Sequence, residues 1–185
     1  MSSTVVLYKS KHGSTKQYAE WLAADLKADL YEPANFMAGD WERYSTVVYC
    51  GGLYANSING VKFIAKNHAR LSGKKVVIVA CGLSYPHIKS SVARVANGLG
   101  RKLPQTLHTN VKLFMVRGAV NYSRLGFLER LILTMLEKML RSKKSETLGP
   151  EEKEMLSVLG KDFSFVDRES IQAIVNHCRT AQGLS

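Results

Sequence analysis

The stretch Val5-Val6-Leu7-Tyr8-Lys9-Ser10-Lys11-His12-Gly13-Ser14-Thr15 passes from an unbroken apolar run, through a short polar loop built on a glycine, into a helical pattern. The apolar residues are branched or bulky and do not alternate with polar ones, as expected of a strand covered on both faces. From Thr15 to Leu26 the periodicity changes, and Tyr18, Trp21, Leu22 and Leu26 fall on one side of a helix. A strand that feeds a helix so directly is the first half of a strand-helix-strand unit, so the next step is to look for repetition.

Three further runs read the same way: Val47 to Cys50, Val76 to Cys81 and Val111 to Val116. Helical patterns lie between and after them at Asn59 to Leu71, Ile88 to Leu99 and Arg168 to Arg179, the last behind Asp167 as its N-cap. A weak strand at Leu30-Tyr31 fills the remaining place. Strands alternating with helices at this spacing require parallel pairing through right-handed crossovers. The expectation is an α/β fold with a doubly wound, five-stranded parallel sheet, forming a single domain over residues 1–185.

Residues 121–167 exceed an ordinary connection and are expected to be an insertion before the last helix. Within them, Gly126 to Lys144 places Leu128, Ile132, Met135 and Met139 on one helical face, flanked by Leu131, Leu136 and Leu140, and ends in a basic run from Lys138 to Lys144. Such a face either packs on the domain or meets a membrane surface or a partner. Gly149-Pro150 breaks the chain, and Glu151 to Leu159 is a candidate for another short helix.

The 185 residues are 45% hydrophobic and 22% charged, with 14 Gly and 4 Pro scattered along the chain, which excludes a disordered tail, a collagen repeat or a coiled coil. No apolar run approaches the ~18 residues that cross a bilayer, and the start, Met1-Ser2-Ser3-Thr4, has no charged leader. A cytoplasmic protein is expected. Cys50, Cys81 and Cys178 are too few and too dispersed for a disulfide scaffold or a zinc site, so reduced thiols and no metal are expected.

The net charge of +11 is concentrated: between Arg43 and Leu128 there is no acidic residue and there are 13 basic ones. Such a field attracts phosphate, carboxylate, nucleic acid or anionic lipid without choosing among them. No interleaved aromatic platform accompanies the charge, so nucleic acid is not the favoured partner.

Open parallel sheets bind ligands beyond the carboxyl ends of their strands. The loop Ser10-Lys11-His12-Gly13-Ser14-Thr15 stands there. Gly13 lets the backbone turn, Ser10, Ser14 and Thr15 offer hydroxyls, and the helix N-terminus adds partial positive charge. The patterns G-x-G-x-x-G and G-x-x-x-x-G-K-[ST] are both absent, so a phosphate monoester fits better than a pyrophosphate. The alternative is a helix merely capped by Ser14 or Thr15. Two later loops, Gly52-Leu53-Tyr54-Ala55-Asn56 and Cys81-Gly82-Leu83-Ser84-Tyr85, combine glycine with an aromatic able to stack on a flat ring. Together the three loops make the arrangement that suits flavin mononucleotide (FMN), although either tyrosine also makes sense as packing.

With these loops the chain resembles the flavodoxin family, whose phosphate loop T/S-x-T-G-x-T stands here as Ser10 to Thr15 with His12 at the third position. The resemblance implies sheet order 2-1-3-4-5 and FMN as cofactor. Within the family it is most similar to the flavodoxin-type, quinone-linked protoporphyrinogen oxidases, through Lys11, the run Gly118-Ala119-Val120-Asn121-Tyr122 and the insertion that follows. This implies an oxidoreductase that takes electrons from an anionic substrate such as protoporphyrinogen and passes them to a quinone or other acceptor, with residues 126–144 available for peripheral contact with the inner face of the membrane.

Flavodoxins that shuttle electrons are typically acidic, whereas positive potential suits an anionic substrate or an anionic membrane. It also stabilises a reduced, anionic flavin and makes its potential less negative. The rival expectation is an electron carrier that recognises a redox partner and catalyses nothing; a scaffold without flavin is a third. Cys50 lacks an arginine six positions on, which excludes a C-x5-R phosphatase loop, and the third strand ends in Cys rather than the Asp of a phospho-receiver. No residue is singled out as a general base.

Overall fold

The computed structural model describes residues 3–54 and 57–180. Strand β1 (Thr4–Lys9) enters helix α1 (Ser14–Leu26), which returns to β2 (Asp29–Tyr31); β3 (Thr46–Tyr54) bends back through β4 (Ser57–Ile58). The chain continues through the short α2 (Lys62–Lys66), β5 (Lys75–Gly82), α3 (Lys89–Gly100) and β6 (Val111–Arg117). Then follow β7 (Ala119–Val120), α4 (Phe127–Arg141), α5 (Pro150–Val158), β8 (Phe163–Ser164) and α6 (Gln172–Arg179).

The main sheet has the order β2-β1-β3-β5-β6, with β4 appended antiparallel to the end of β3. The four pairings along this order are parallel, which puts every carboxyl end on one edge. The order reverses between β1 and β3, as the family resemblance implied.

Side-chain parity explains why the strands read as continuous apolar runs. Val5, Leu7, Val47, Tyr49, Val76 and Ile78 enter one core, with Ile64, Leu71, Val95 and Leu99 from the covering helices. Val6, Tyr8, Val48, Cys50, Val77 and Val79 enter the other, beneath Tyr18 and Leu22 of α1 and Ile174, Val175 and Cys178 of α6. Because both faces of the central strands are covered, residues of either parity must be apolar.

Two local readings are corrected. The helix expected over Asn59 to Leu71 is reduced to α2 and a 3-10 turn, His68–Leu71. Gly60 sits at φ 74, outside the helical region, and the Asn67 amide donates to the Phe63 carbonyl at 2.8 Å, capping α2. A Cβ at Gly60 would lie 2.1 Å from the Tyr49 hydroxyl and 2.9 Å from Cδ of Lys9, so the turn is fixed by close approach as well as by backbone angle. Second, β3 does not end at Cys50 but runs to Tyr54, because Leu53 and Tyr54 pair with Ile58 and Ser57. Between β2 and β3, where the sequence suggested no element, Pro33–Asn35 and Asp40–Arg43 form 3-10 turns that bury Trp41, against which Phe36 packs edge-on at 4.7 Å.

The chain divides into two compact units, one of them Ala119–Phe165. In that unit β7 pairs antiparallel with β8, the Tyr122 amide donates to Asp162 at 2.7 Å, and the Gly160 amide donates to the Tyr122 hydroxyl at 2.8 Å. Glu129 and Glu152 reach back to accept from the amides of Gly126 and Gly149, fixing the starts of α4 and α5. Lys143 and Glu152, 2.6 Å apart, link the two helices. The buried positions of α4 are Leu133 and Leu140. The face that the sequence singles out is exposed: Leu128 is 70% accessible, Ile132 55%, Met135 62% and Met139 52%, with Phe127 beside them at 80%. Among the described residues no helix is long and apolar enough to cross a membrane.

Candidate functional site at the carboxyl edge

The loop between β1 and α1 is shaped by Gly13, whose φ of 100 is a conformation that a side chain strongly disfavours. The Ser10 hydroxyl accepts from the Gly13 amide at 3.1 Å and closes the loop on itself. Helix α1 therefore starts at Ser14 without a capping side chain and without an acidic residue in its first turn. The first four amides of any helix lack partners within it, and an acidic side chain normally answers their charge. Here no acidic residue occupies that first turn. Lys11 is exposed, and Ser10, His12 and Ser14 are half-buried around the same turn.

Thr15 differs from its neighbours. It is buried, and its hydroxyl donates to the Cys81 sulfur, opposing the burial that pushes this thiol up to about 11. Burial, with Cys81 and Cys178 nearby, also pushes Cys50 upward. All three cysteines are buried free thiols. Neutral, enclosed thiols are poor nucleophiles, so the sulfurs act as packing groups of the core.

The two glycine-aromatic segments converge on the same edge. Leu53 packs so closely on Gly82 that a Cβ there would meet its own Cβ at 2.8 Å, which fixes the end of β3 against the end of β5. Tyr54 is partly exposed and folds over Gly52; its ring stands edge-on to His12 with centroids 6.5 Å apart. Gly82, the last residue of β5, and Leu83, Ser84 and Tyr85 beyond it are half-buried. Ala55 and Asn56, also expected at the site, lie outside the described residues.

Arg117, at the end of β6, is the site residue that sequence reading missed. Its guanidinium lies 4.2 Å from the centroid of the Tyr85 ring, and its Nε and Nη2 are shielded from solvent. Its carbonyl accepts from the Tyr18 hydroxyl at 2.7 Å, and that hydroxyl in turn accepts from the Asp167 amide at 2.9 Å. Tyr18 thus joins α1, the end of β6 and the entry to α6. The sequence signal was slight: Arg117 directly precedes the Gly118 run, but nothing in the linear chain pairs it with Tyr85.

A helix N-terminus with no acidic answer, a left-handed glycine, serine hydroxyls, and two tyrosines near Gly52 and Gly82 fit a phosphate monoester attached to a flat ring. The chain matches the flavodoxin-domain family model over residues 5–147. It belongs to the flavodoxin family. Its curated relatives include protoporphyrinogen IX dehydrogenase [quinone] of Escherichia coli, 25% identical over 154 residues that cover 74% of this chain and 79% of the relative. Among solved structures, the two-electron reduced flavodoxin of Megasphaera elsdenii is 15% identical, covers 61% of this chain and 85% of its own, and superposes with a TM-score of 0.44. The Trp repressor binding protein of Bacillus subtilis is 16% identical, with coverage of 64% and 84% and a TM-score of 0.45. Membership of the family brings a flavin as the expected cofactor.

Proposed function

We propose that the protein is an FMN-dependent oxidoreductase that oxidises an anionic organic substrate, such as protoporphyrinogen, and delivers the electrons to a quinone. The observation that carries the reading is the start of α1, presented behind Gly13 with no capping side chain and no acidic residue in its first turn. In this reading Ser10, Lys11, His12, Gly13, Ser14 and Thr15 form the phosphate end of the site, Thr15 contributing from within by backbone and packing. Residues 52–56 and 81–85 flank the ring. Bound there, FMN supplies a two-electron redox centre that the protein's own side chains lack.

The chain's residues set position, access and charge. Tyr18 ties α1 to the end of β6 and to the entry of α6 through its paired hydrogen bonds. Arg117 places a cation behind Tyr85, where negative charge on a reduced flavin is favoured. The acid-free block from Arg43 to Leu128 favours an anionic substrate over a basic protein partner. The exposed apolar face of α4, beside Lys138, Arg141, Lys143 and Lys144, suits contact with an anionic membrane in which a quinone is dissolved.

The test is steady-state oxidation of protoporphyrinogen IX by the FMN-loaded protein, with menadione in solution and with menaquinone in anionic vesicles. The expected result is multiple turnovers with both acceptors, and faster turnover per quinone with the vesicles. Retention of FMN without any turnover would replace this reading with that of an electron carrier.

A further inference from the structure

A concavity at the carboxyl edge is not used by the flavin reading. It is a cleft of about 550 Å³ whose walls include Lys9, Lys62, Lys66 and Lys102, together with the apolar Val61 and Phe63. It opens on the other side of β1 from α1. Lys9 follows Val5 and Leu7 at the period of two, and those residues belong to the core away from α1, whereas the Gly13 loop leads to the opposite face.

The cleft is built rather than incidental. The Lys9 stem lies across Gly60, where even a methyl group would collide with it and with Tyr49. The Tyr49 hydroxyl donates to the Asn59 carbonyl at 2.8 Å and holds the turn beneath. The Lys102 ammonium donates to the Ser57 hydroxyl, tying the start of β4 to the far wall. Phe63 is supported from behind by the stacked Trp41 ring, 5.7 Å away.

No acidic residue is among those lining the cleft. Glu32, next in sequence to the lining residue Pro33, is hydrogen-bonded to Tyr8, which belongs to the other core. Four ammonium groups around one opening repel one another, and a multivalent anion relieves that repulsion at every contact. A single inorganic anion would leave most of the volume empty, since clefts of ~300–1,000 Å³ accommodate whole organic ligands. Phe63, Pro33 and Ala34, which are not fully buried, supply apolar surface for such a body.

We infer that this cleft binds an organic polyanion, a small ring scaffold bearing two or more carboxylate or phosphate groups. The inference does not require flavin and stands apart from the redox reading.

The experiment is a calorimetric titration of the full-length, flavin-free protein with benzene-1,3,5-tricarboxylate at an ionic strength of ~0.15 M, where nonspecific attraction is screened. One saturable site per chain is expected. The K62Q/K66Q pair should weaken it by at least about tenfold, whereas K112Q/K153Q, which removes the same charge outside the cleft, should change it by less than about twofold. Lys62 and Lys66 are exposed, so the substitutions leave the core untouched, and an unchanged melting curve verifies folding. Absence of saturable binding would overturn the inference, as would equal losses in the two double variants. Tripolyphosphate is expected to bind more weakly than the tricarboxylate; equal or tighter binding would remove the apolar scaffold from the proposal.

Discussion

Replacing Ser14 with aspartate is expected to weaken FMN by at least about 100-fold while leaving the flavin-free protein as stable as before or slightly more so. Ser14 is the first residue of α1, and that first turn holds no acidic residue. A carboxylate there answers the partial positive charge of the helix and adds about 0.3–1 kcal/mol of stability. The same carboxylate meets the phosphate at short range. Two unit charges ~4 Å apart near a protein surface repel by about 4 kcal/mol, far more than the helix gains. Stability and affinity therefore move in opposite directions, which generic damage to the loop cannot imitate. Thermal melting of the flavin-free variant and calorimetry with FMN measure the two effects. Riboflavin, which lacks the phosphate, should bind the variant and the natural protein equally.

The second large effect concerns Arg117. Its guanidinium stacks on Tyr85 at 4.2 Å, and Tyr85 flanks the proposed ring position. Reduction places negative charge on the flavin, so a nearby cation favours the reduced form. R117M removes that charge and should make the reduction potential more negative. At ~8 Å and an effective dielectric constant of ~20 the lost attraction is about 2 kcal/mol. A tenfold change in a two-electron equilibrium, about 1.4 kcal/mol, corresponds to ~30 mV, so the expected fall is about 45 mV. R117K keeps the charge and should recover most of the potential, although it loses the planar stack on Tyr85. Potentiometric titration of the three FMN-loaded proteins distinguishes a charge effect from a packing effect. If R117M and R117K shift the potential equally, charge is not the cause.

Much of the fold was legible because burial on both sides of a parallel sheet leaves a plain trace. Val47 and Val48 point into different cores, yet both must be apolar, and the run announces the strand without alternation. Helix α1 was legible for the complementary reason, since only one of its faces is covered. The reading failed where contacts are not periodic. Trp41 and Phe36 are buried by two 3-10 turns with no repeating pattern. The two-residue strands β7 and β8 owe their existence to partners more than 40 residues apart. In the site, Gly13 was readable because a left-handed turn between strand and helix selects glycine. Arg117 was not, because its place over Tyr85 is created only when β6 lies against β5. The apolar face of α4 was identified correctly as a face, but periodicity cannot say whether a face is covered, and the structure leaves it exposed.

The central claim is that the turn around Gly13 and the start of α1 hold a phosphate. Parallel calorimetric titrations of the flavin-free protein with FMN and with riboflavin test it most directly. Charge-assisted hydrogen bonds from the loop predict that FMN binds at least about 100-fold more tightly. Equal affinities for the two flavins would contradict the claim.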